Sequence, residues 1–75
     1  MPPSTQDLLA AVRAAAEGGA DFPTIWNSIL RRHPLVAGSP VQRLDGTTAL
    51  LEVPLILGRR LVVGPGSTDY AITFG

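Results

Sequence analysis

The sequence predicts an α+β fold in which an N-terminal αα-hairpin packs on a three- or four-stranded antiparallel β-meander. Apolar residues recur with a helical period as far as Pro34, and with the two-residue period of strands after it. Short turn signals separate the extended stretches. Because the chain has 75 residues, we expect one domain over residues 1–75, with residues 1–3 frayed.

The first predicted helix is capped by Ser4 or Thr5 and runs to about Glu17. Ser4 and Asp7 have the spacing of a capping box, in which each side chain accepts a hydrogen bond from the other residue's backbone N–H. Gly18 is predicted as the left-handed residue that ends the helix. The apolar stripe consists of Leu8, Leu9, Val12, Ala15 and Ala16.

The second predicted helix is the clearest in the chain and lies between Asp21 and Pro34. Asp21 is placed to cap it, Pro23 fits its first turn and Pro34 stops it. Trp26 is the only Trp, so we expect it at the centre of the core. The apolar stripe consists of Phe22, Ile25, Trp26, Ile29 and Leu30.

A first β-hairpin is predicted after the helices. Residues 35–40 are interpreted as an irregular connector, with a short third helix as the alternative. Residues 41–44 then form a strand, Asp45 and Gly46 form a type I′ turn, and residues 47–53 return. Pro54 cannot donate to a β-ladder, so it marks a strand end, a bulge or an edge.

A second hairpin is predicted around Gly58 and Arg59, whose order suits a type II′ turn. It would pair residues 55–57 with residues 60–63. Both faces of this hairpin are apolar, which is typical of strands that are covered on both sides. Residues 64–67 are predicted as a turn. The terminal strand that follows is half-buried, because Tyr70, Ile72 and Phe74 alternate with Ala71 and Thr73.

The composition argues against metal, cofactor and membrane binding. The chain has no Cys and one His, so we expect neither disulfides nor a conventional zinc site, and no cofactor. The formal net charge is zero, which favours neither nucleic acid nor an anionic membrane. Without a targeting segment, we expect a cytoplasmic protein. All six basic residues are Arg, and with the abundant Ala, Gly and Pro this is typical of GC-rich bacterial or phage genes.

An enzyme is not expected. His33 is the only side chain that ordinarily titrates near neutral pH, and its place at a helix end before proline favours a capping role. The serines and threonines form no nucleophile elbow, and the acidic residues lack paired or metal-ligand spacing. We therefore predict no catalytic, cofactor-binding or metal-binding residues.

The leading functional hypothesis is a protein-interaction module that binds a protein partner or a second copy of itself. The apolar fraction of 45% and the mean hydropathy of +0.26 are high for so short a chain. Two helices cannot cover both faces of a sheet, and a terminal strand is free to pair with another chain. The alternative explanation is that the core absorbs these apolar residues.

A nucleic-acid-binding domain is the alternative hypothesis. Two short helices with glycine between them resemble a helix-turn-helix in outline, and Arg59 and Arg60 at the predicted hairpin tip resemble a wing. A winged helix normally has a third helix before its wing, and the sequence has no obvious segment for one. Arginine at a helix end or a hairpin tip also has a purely structural explanation, in the helix dipole and in solubility. The polar face of the second helix, suited to phosphates and base edges, carries Thr24, Asn27, Ser28, Arg31 and Arg32.

Overall fold

The computed structural model describes residues 4–64 and 69–74. It has two short helices and a four-stranded antiparallel sheet with the strand order β1-β2-β3-β4. The predicted α+β class with an antiparallel sheet is therefore confirmed. Residues 1–3 and most of the predicted turn at 64–67 lie outside the described residues. The elements are α1 (Thr5–Glu17), α2 (Phe22–Ile25) with its π-helical continuation (Trp26–Leu30), β1 (Val41–Asp45), β2 (Thr48–Pro54), β3 (Arg59–Val63) and β4 (Tyr70–Phe74).

The ends of α1 follow from local hydrogen bonds. The Asp7 N–H donates to the Ser4 hydroxyl (3.1 Å) and the Ser4 N–H donates to the Asp7 carboxylate (3.4 Å), which confirms the capping box. Gly18 has a φ of −76°, so its prediction as the left-handed residue is wrong. That conformation belongs to Gly19, with a φ of +97°. Because the helix continues through Glu17, Gly18 is the cap itself and the left-handed position falls one residue later.

The second helix begins as predicted but does not stay an α-helix. The Thr24 N–H donates to the Asp21 carboxylate (3.0 Å). Hydrogen bonding by Thr24, first from its side chain and then from its backbone, holds the pKa of Asp21 below its ordinary value of 3.8. Beyond Ile25 the backbone widens into a π-helical turn, in which the Arg31 N–H donates to the Trp26 carbonyl (2.8 Å). The prediction of a single regular helix is therefore wrong in its second half.

The π-turn explains why Trp26 is not the centre of the core. Ile25 and Leu30 are both fully buried (0% exposed), whereas Trp26 is only half-buried. A π-turn holds one more residue than an α-turn, so residues five apart come to the same side of the helix. The wider turn thus points Ile25 and Leu30 inward together and moves Trp26 to the rim of the core. The prediction for Trp26 is wrong for this reason.

The buried cluster contains residues of both helices and of the sheet. α1 contacts both α2 and β4. Across the sheet, Leu51, Val63 and Tyr70 are register partners, and so are Val53, Leu61 and Ile72. The buried cluster comprises Leu8, Val12, Phe22, Ile25, Leu30, Leu35, Val53, Leu55, Leu61, Val63 and Tyr70.

The turn of the first hairpin lies one residue later than predicted. Asp45 is the register partner of Thr48, so the two turn residues are Gly46 and Thr47. Gly46 has a φ of +63°, but Thr47 does not have a positive φ. A type I′ turn needs positive φ at both positions, so that prediction is wrong, and the single positive φ at the first position is the pattern of a type II′ turn.

The second hairpin also differs from the prediction. β2 continues to Pro54, which is the register partner of Arg60, so residues 55–57 do not form the predicted strand. Leu55 instead bridges to Val36, and the turn passes through Leu57 (φ 62°) and Gly58 (φ 71°). Residues 35–40 contain no helix, which rules out the alternative of a third helix there. The apolar run misled the prediction because Leu55 is buried by the connector, whereas Leu57 is exposed.

Candidate functional site

The polar residues of the second helix are exposed, but two of them bond to their own helix. The Asn27 side-chain amide donates to the Pro23 carbonyl (2.9 Å), and the Ser28 hydroxyl donates to the Thr24 carbonyl (2.7 Å). These bonds are local side-chain-to-backbone contacts of the i to i−4 type. A ligand would have to compete with them for the amide and the hydroxyl.

Arg31 and Arg32 follow the π-helical turn and are both exposed. Neither takes part in an ion pair within residues 4–64 and 69–74. Arg31 also lines a surface groove with Trp26 and residues 36–39. Of the predicted nucleic-acid-binding residues, these two arginines are the ones with their charge available to a ligand.

Arg59 and Arg60 are not at a hairpin tip, which corrects the prediction. They are the first residues of β3, and the tip is formed by Ile56–Gly58. Because neighbouring strand residues point to opposite faces, the two side chains separate. The Arg59 guanidinium lies over the Phe74 ring, 5.1 Å from its centroid, and Arg60 pairs with Glu52.

The sheet face opposite the core carries a small ion cluster around Glu52. One carboxylate oxygen of Glu52 lies 3.0 Å from the Arg43 Nε and 3.3 Å from an Arg60 terminal nitrogen. The Glu52 side chain is 15% exposed, whereas the Arg43 side chain is 60% exposed. Glu52 therefore offsets part of the positive charge that the prediction assigned to a ligand.

No active site was predicted, and the single histidine of the chain, His33, makes a short-range contact. The His33 Nδ1 accepts a hydrogen bond from the Leu35 N–H (3.1 Å), which is a local contact at the end of the helix. Within the part of the chain that the structure describes, no three His, Cys, Asp or Glu side chains are grouped as they would be around a metal ion. The same residues contain no helix long and apolar enough to cross a membrane.

Large apolar side chains lie exposed on both edges of the sheet and on one turn. β1 has no buried residue along its whole length, and its Leu44 is 76% exposed. On β4, Phe74 is 72% exposed. Ordinary surfaces carry scattered apolar residues, but their concentration at strand edges is a feature of association sites. The exposed large apolar residues are Val41, Leu44, Ile56, Leu57 and Phe74.

The β4 edge is partly closed by α1. The Gly64 N–H donates to the Asp69 carbonyl (2.8 Å), so the backbone groups of Asp69 face β3. Because backbone groups alternate in direction along a strand, those of Tyr70, Ile72 and Phe74 face away from β3. The Arg13 guanidinium donates to the Tyr70 carbonyl from two nitrogens, at 3.0 and 3.2 Å. Arg13 thus occupies one end of this edge. Sequence reasoning missed it, because the contact joins residues 57 positions apart and no local pattern signals it.

On the other side of the sheet, no strand of residues 4–64 and 69–74 pairs with the outer edge of β1. The Leu55 N–H donates to the Arg59 carbonyl (2.8 Å), so the backbone groups of Leu55 face β3. Because these groups alternate in direction along a strand, every second residue of β2 directs its N–H and carbonyl to β3, and the residues between them direct theirs to β1. The same alternation directs the backbone groups of Gln42 and Leu44 away from the sheet, where β1 is the outermost strand. An exposed edge of this kind is a template for pairing with another strand.

Comparison with protein-family models, with curated proteins and with solved structures returned no match.

Proposed function

We propose that this chain is a small, non-enzymatic protein-interaction module that associates with a second copy of itself. The observation that carries the proposal is the exposure of large apolar side chains on the sheet edges, led by Leu44 (76%) and Phe74 (72%). Burying apolar surface drives most protein association, at about 25 cal/mol per Å². The exposed positions lie on strands whose free backbone groups can also hydrogen-bond to a partner.

The arrangement of the layers supports this proposal. We infer that the two helices form an αα-hairpin that covers one face of the sheet, since Leu8, Val12 and Ile25 share a buried cluster with sheet residues. The helical layer does not reach β1, whose residues are all exposed. Association through that uncovered part of the sheet would complete the burial that the helices leave unfinished.

The test is a sedimentation-equilibrium series over a wide range of protein concentration. Self-association predicts that the apparent mass rises from the 7.9 kDa of one chain to twice that value. A mass that stays at 7.9 kDa up to the solubility limit would contradict the proposal.

Nucleic-acid binding is the second candidate function. It is supported by Arg31 and Arg32, which are exposed and form no ion pair with an acidic residue in the described part of the chain. Such binding to phosphates would weaken steeply as salt rises. The test is titration of a short DNA duplex at low salt with the double variants R31E/R32E and R31K/R32K. Binding that survives the Lys pair and is lost with the Glu pair supports this candidate. No binding by the unaltered chain removes it.

A further inference from the structure

The β1 edge carries a charge pattern that is complementary to itself. Its outward-facing residue Leu44 is flanked by Arg43 and Asp45, which have opposite charges. The Arg43 side chain is 60% exposed, and Asp45 belongs to neither of the ion pairs found among the described residues. A segment in which an apolar residue lies between opposite charges can therefore pair favourably with a second copy of itself.

Antiparallel pairing about a two-fold axis determines which residues meet. If Leu44 lies opposite the second copy's Leu44, then Arg43 lies opposite the second copy's Asp45, and Asp45 lies opposite its Arg43. Residues directly opposite on an antiparallel pair have Cβ atoms about 4.5–5.5 Å apart, and opposite charges there are favourable. The Leu44 backbone groups face outward, as this register requires.

We propose that the chain dimerises by antiparallel pairing of β1 with β1 of a second copy, centred on Leu44, with two intermolecular pairs between Arg43 and Asp45. The proposal rests on the self-association proposed above, and it assigns the surface and the register. The two four-stranded sheets would then continue into one another across the two-fold axis.

The other ways of pairing this edge do not match charge to charge. A register centred on Arg43 places Arg43 opposite the second copy's Arg43, and like charges directly opposite are destabilising. A register centred on Gln42 places Arg43 opposite the second copy's Val41. Only the register centred on Leu44 uses both charged residues of β1.

The existing contact of Arg43 is compatible with the dimer. Its Nε bonds to Glu52 at 3.0 Å, and a guanidinium has further N–H donors on its terminal nitrogens. Those nitrogens can reach a carboxylate on the neighbouring strand while Glu52 keeps its bond.

The β4 edge is a weaker site for the same partner. Arg13 already bonds to the Tyr70 carbonyl, so among the described residues of this strand only Ile72 and Phe74 keep both their outward N–H and their outward carbonyl free. The strand carries no charged residue, so it offers no electrostatic selection of a register.

The test is a pair of charge-reversal variants, R43D and D45R, measured alone and mixed by sedimentation. In D45R an arginine meets Arg43 of the second copy, and in R43D an aspartate meets Asp45, so each variant alone should be monomeric at a concentration where the unaltered chain is a dimer. An equimolar mixture should form a heterodimer, because each Arg then meets an Asp. A merely structural effect of either substitution would not be rescued by mixing.

Single cysteines test the register, since the chain has no native Cys. L44C should form a disulfide-linked dimer under mild oxidation, because opposite Cα atoms in a hydrogen-bonded antiparallel pair lie about 5.5 Å apart, within the range of a disulfide. T73C, an exposed position on β4, is the matched control and should remain monomeric.

The outcomes separate this inference from the broader proposal. If both charge variants still form the dimer, the β1 edge is not the interface, although self-association stands. The same conclusion follows if T73C forms a cross-linked dimer and L44C does not. If each charge variant alone is monomeric and an equimolar mixture of the two does not dimerise, the register that pairs Arg43 with Asp45 is wrong. An unaltered chain that remains monomeric overturns both proposals.

Discussion

The two edge strands of the sheet differ in how much of the chain supports them. β4 packs its Tyr70 into the core (3% exposed), and Arg13 of α1 bonds to the backbone of that residue. β1 has no buried residue, and among the strands that the structure describes it pairs only with β2. A strand of the first kind is stabilised by the chain itself, whereas a strand of the second kind gains burial only from another molecule. The two free edges of this sheet are therefore not equivalent sites for association.

The largest expected difference comes from removing one large side chain from each edge. Y70A should lower the free energy of unfolding by about 3 kcal/mol, because it empties a buried site in the core. L44A should change the unfolding free energy of the monomer by less than about 0.5 kcal/mol, because Leu44 is 76% exposed. Both values are measured by urea denaturation at a protein concentration too low for dimerisation.

The matched control for this comparison is Y70F. The Tyr70 hydroxyl is buried and has no hydrogen-bond partner among the described residues, and burial raises the pKa of this phenol, with Asp21 adding to the effect. Removing an unpaired buried hydroxyl should be neutral or stabilising. Similar unfolding free energies for Y70A and L44A would contradict this difference between the two edges.

A smaller effect is expected from uncovering β4. R13A removes two hydrogen bonds to the Tyr70 carbonyl and should cost about 1 kcal/mol, a low value because Arg13 is largely in solvent. It should also free the first part of the β4 edge and increase association through that strand. R13K, which keeps the charge but not the two-pronged geometry, is the control. Sedimentation that shows no new association in R13A would mean that Arg13 does not protect this edge.

The smallest expected effect is on the pH dependence of stability, through Asp21 at the start of the second helix. The Thr24 hydrogen bonds keep the pKa of Asp21 below 3.8, so its contribution to stability is present above that pH and is lost as the pH falls through the lowered pKa. D21N also caps a helix but does not titrate. Denaturation of the monomer between neutral and acid pH should therefore show a shallower loss of stability in D21N. Equal pH dependence in the two chains would remove Asp21 as a source of acid sensitivity.

Features encoded by neighbouring residues could be predicted from the sequence. The Ser4 capping box, the Asp21 cap and the α+β class with its antiparallel sheet depend on spacings of a few residues, and all are present. The strand at Tyr70–Phe74 was likewise predicted by its alternation. Each of these signals is complete within one element.

Features that depend on packing between elements could not be predicted. The π-turn moves Trp26 to the rim because Leu30 is drawn into the core, and no local signal encodes that shift. The bridge between Val36 and Leu55 likewise ends the strand that the apolar run predicted. At the candidate site, the exposed Arg31 and Arg32 were predicted, whereas the pairing of Arg60 with Glu52 requires the register of β2 and β3.

The most direct test of the difference between the edges is amide hydrogen exchange at low and high protein concentration, followed by NMR. The Leu44 and Ile72 N–H groups both face outward, so both should exchange rapidly in the monomer. At high concentration the Leu44 amide should become protected, because it donates to the second copy's Leu44 carbonyl, whereas the Ile72 amide should not change. Protection that grows at Ile72 and not at Leu44 would contradict the account and place the partner on β4.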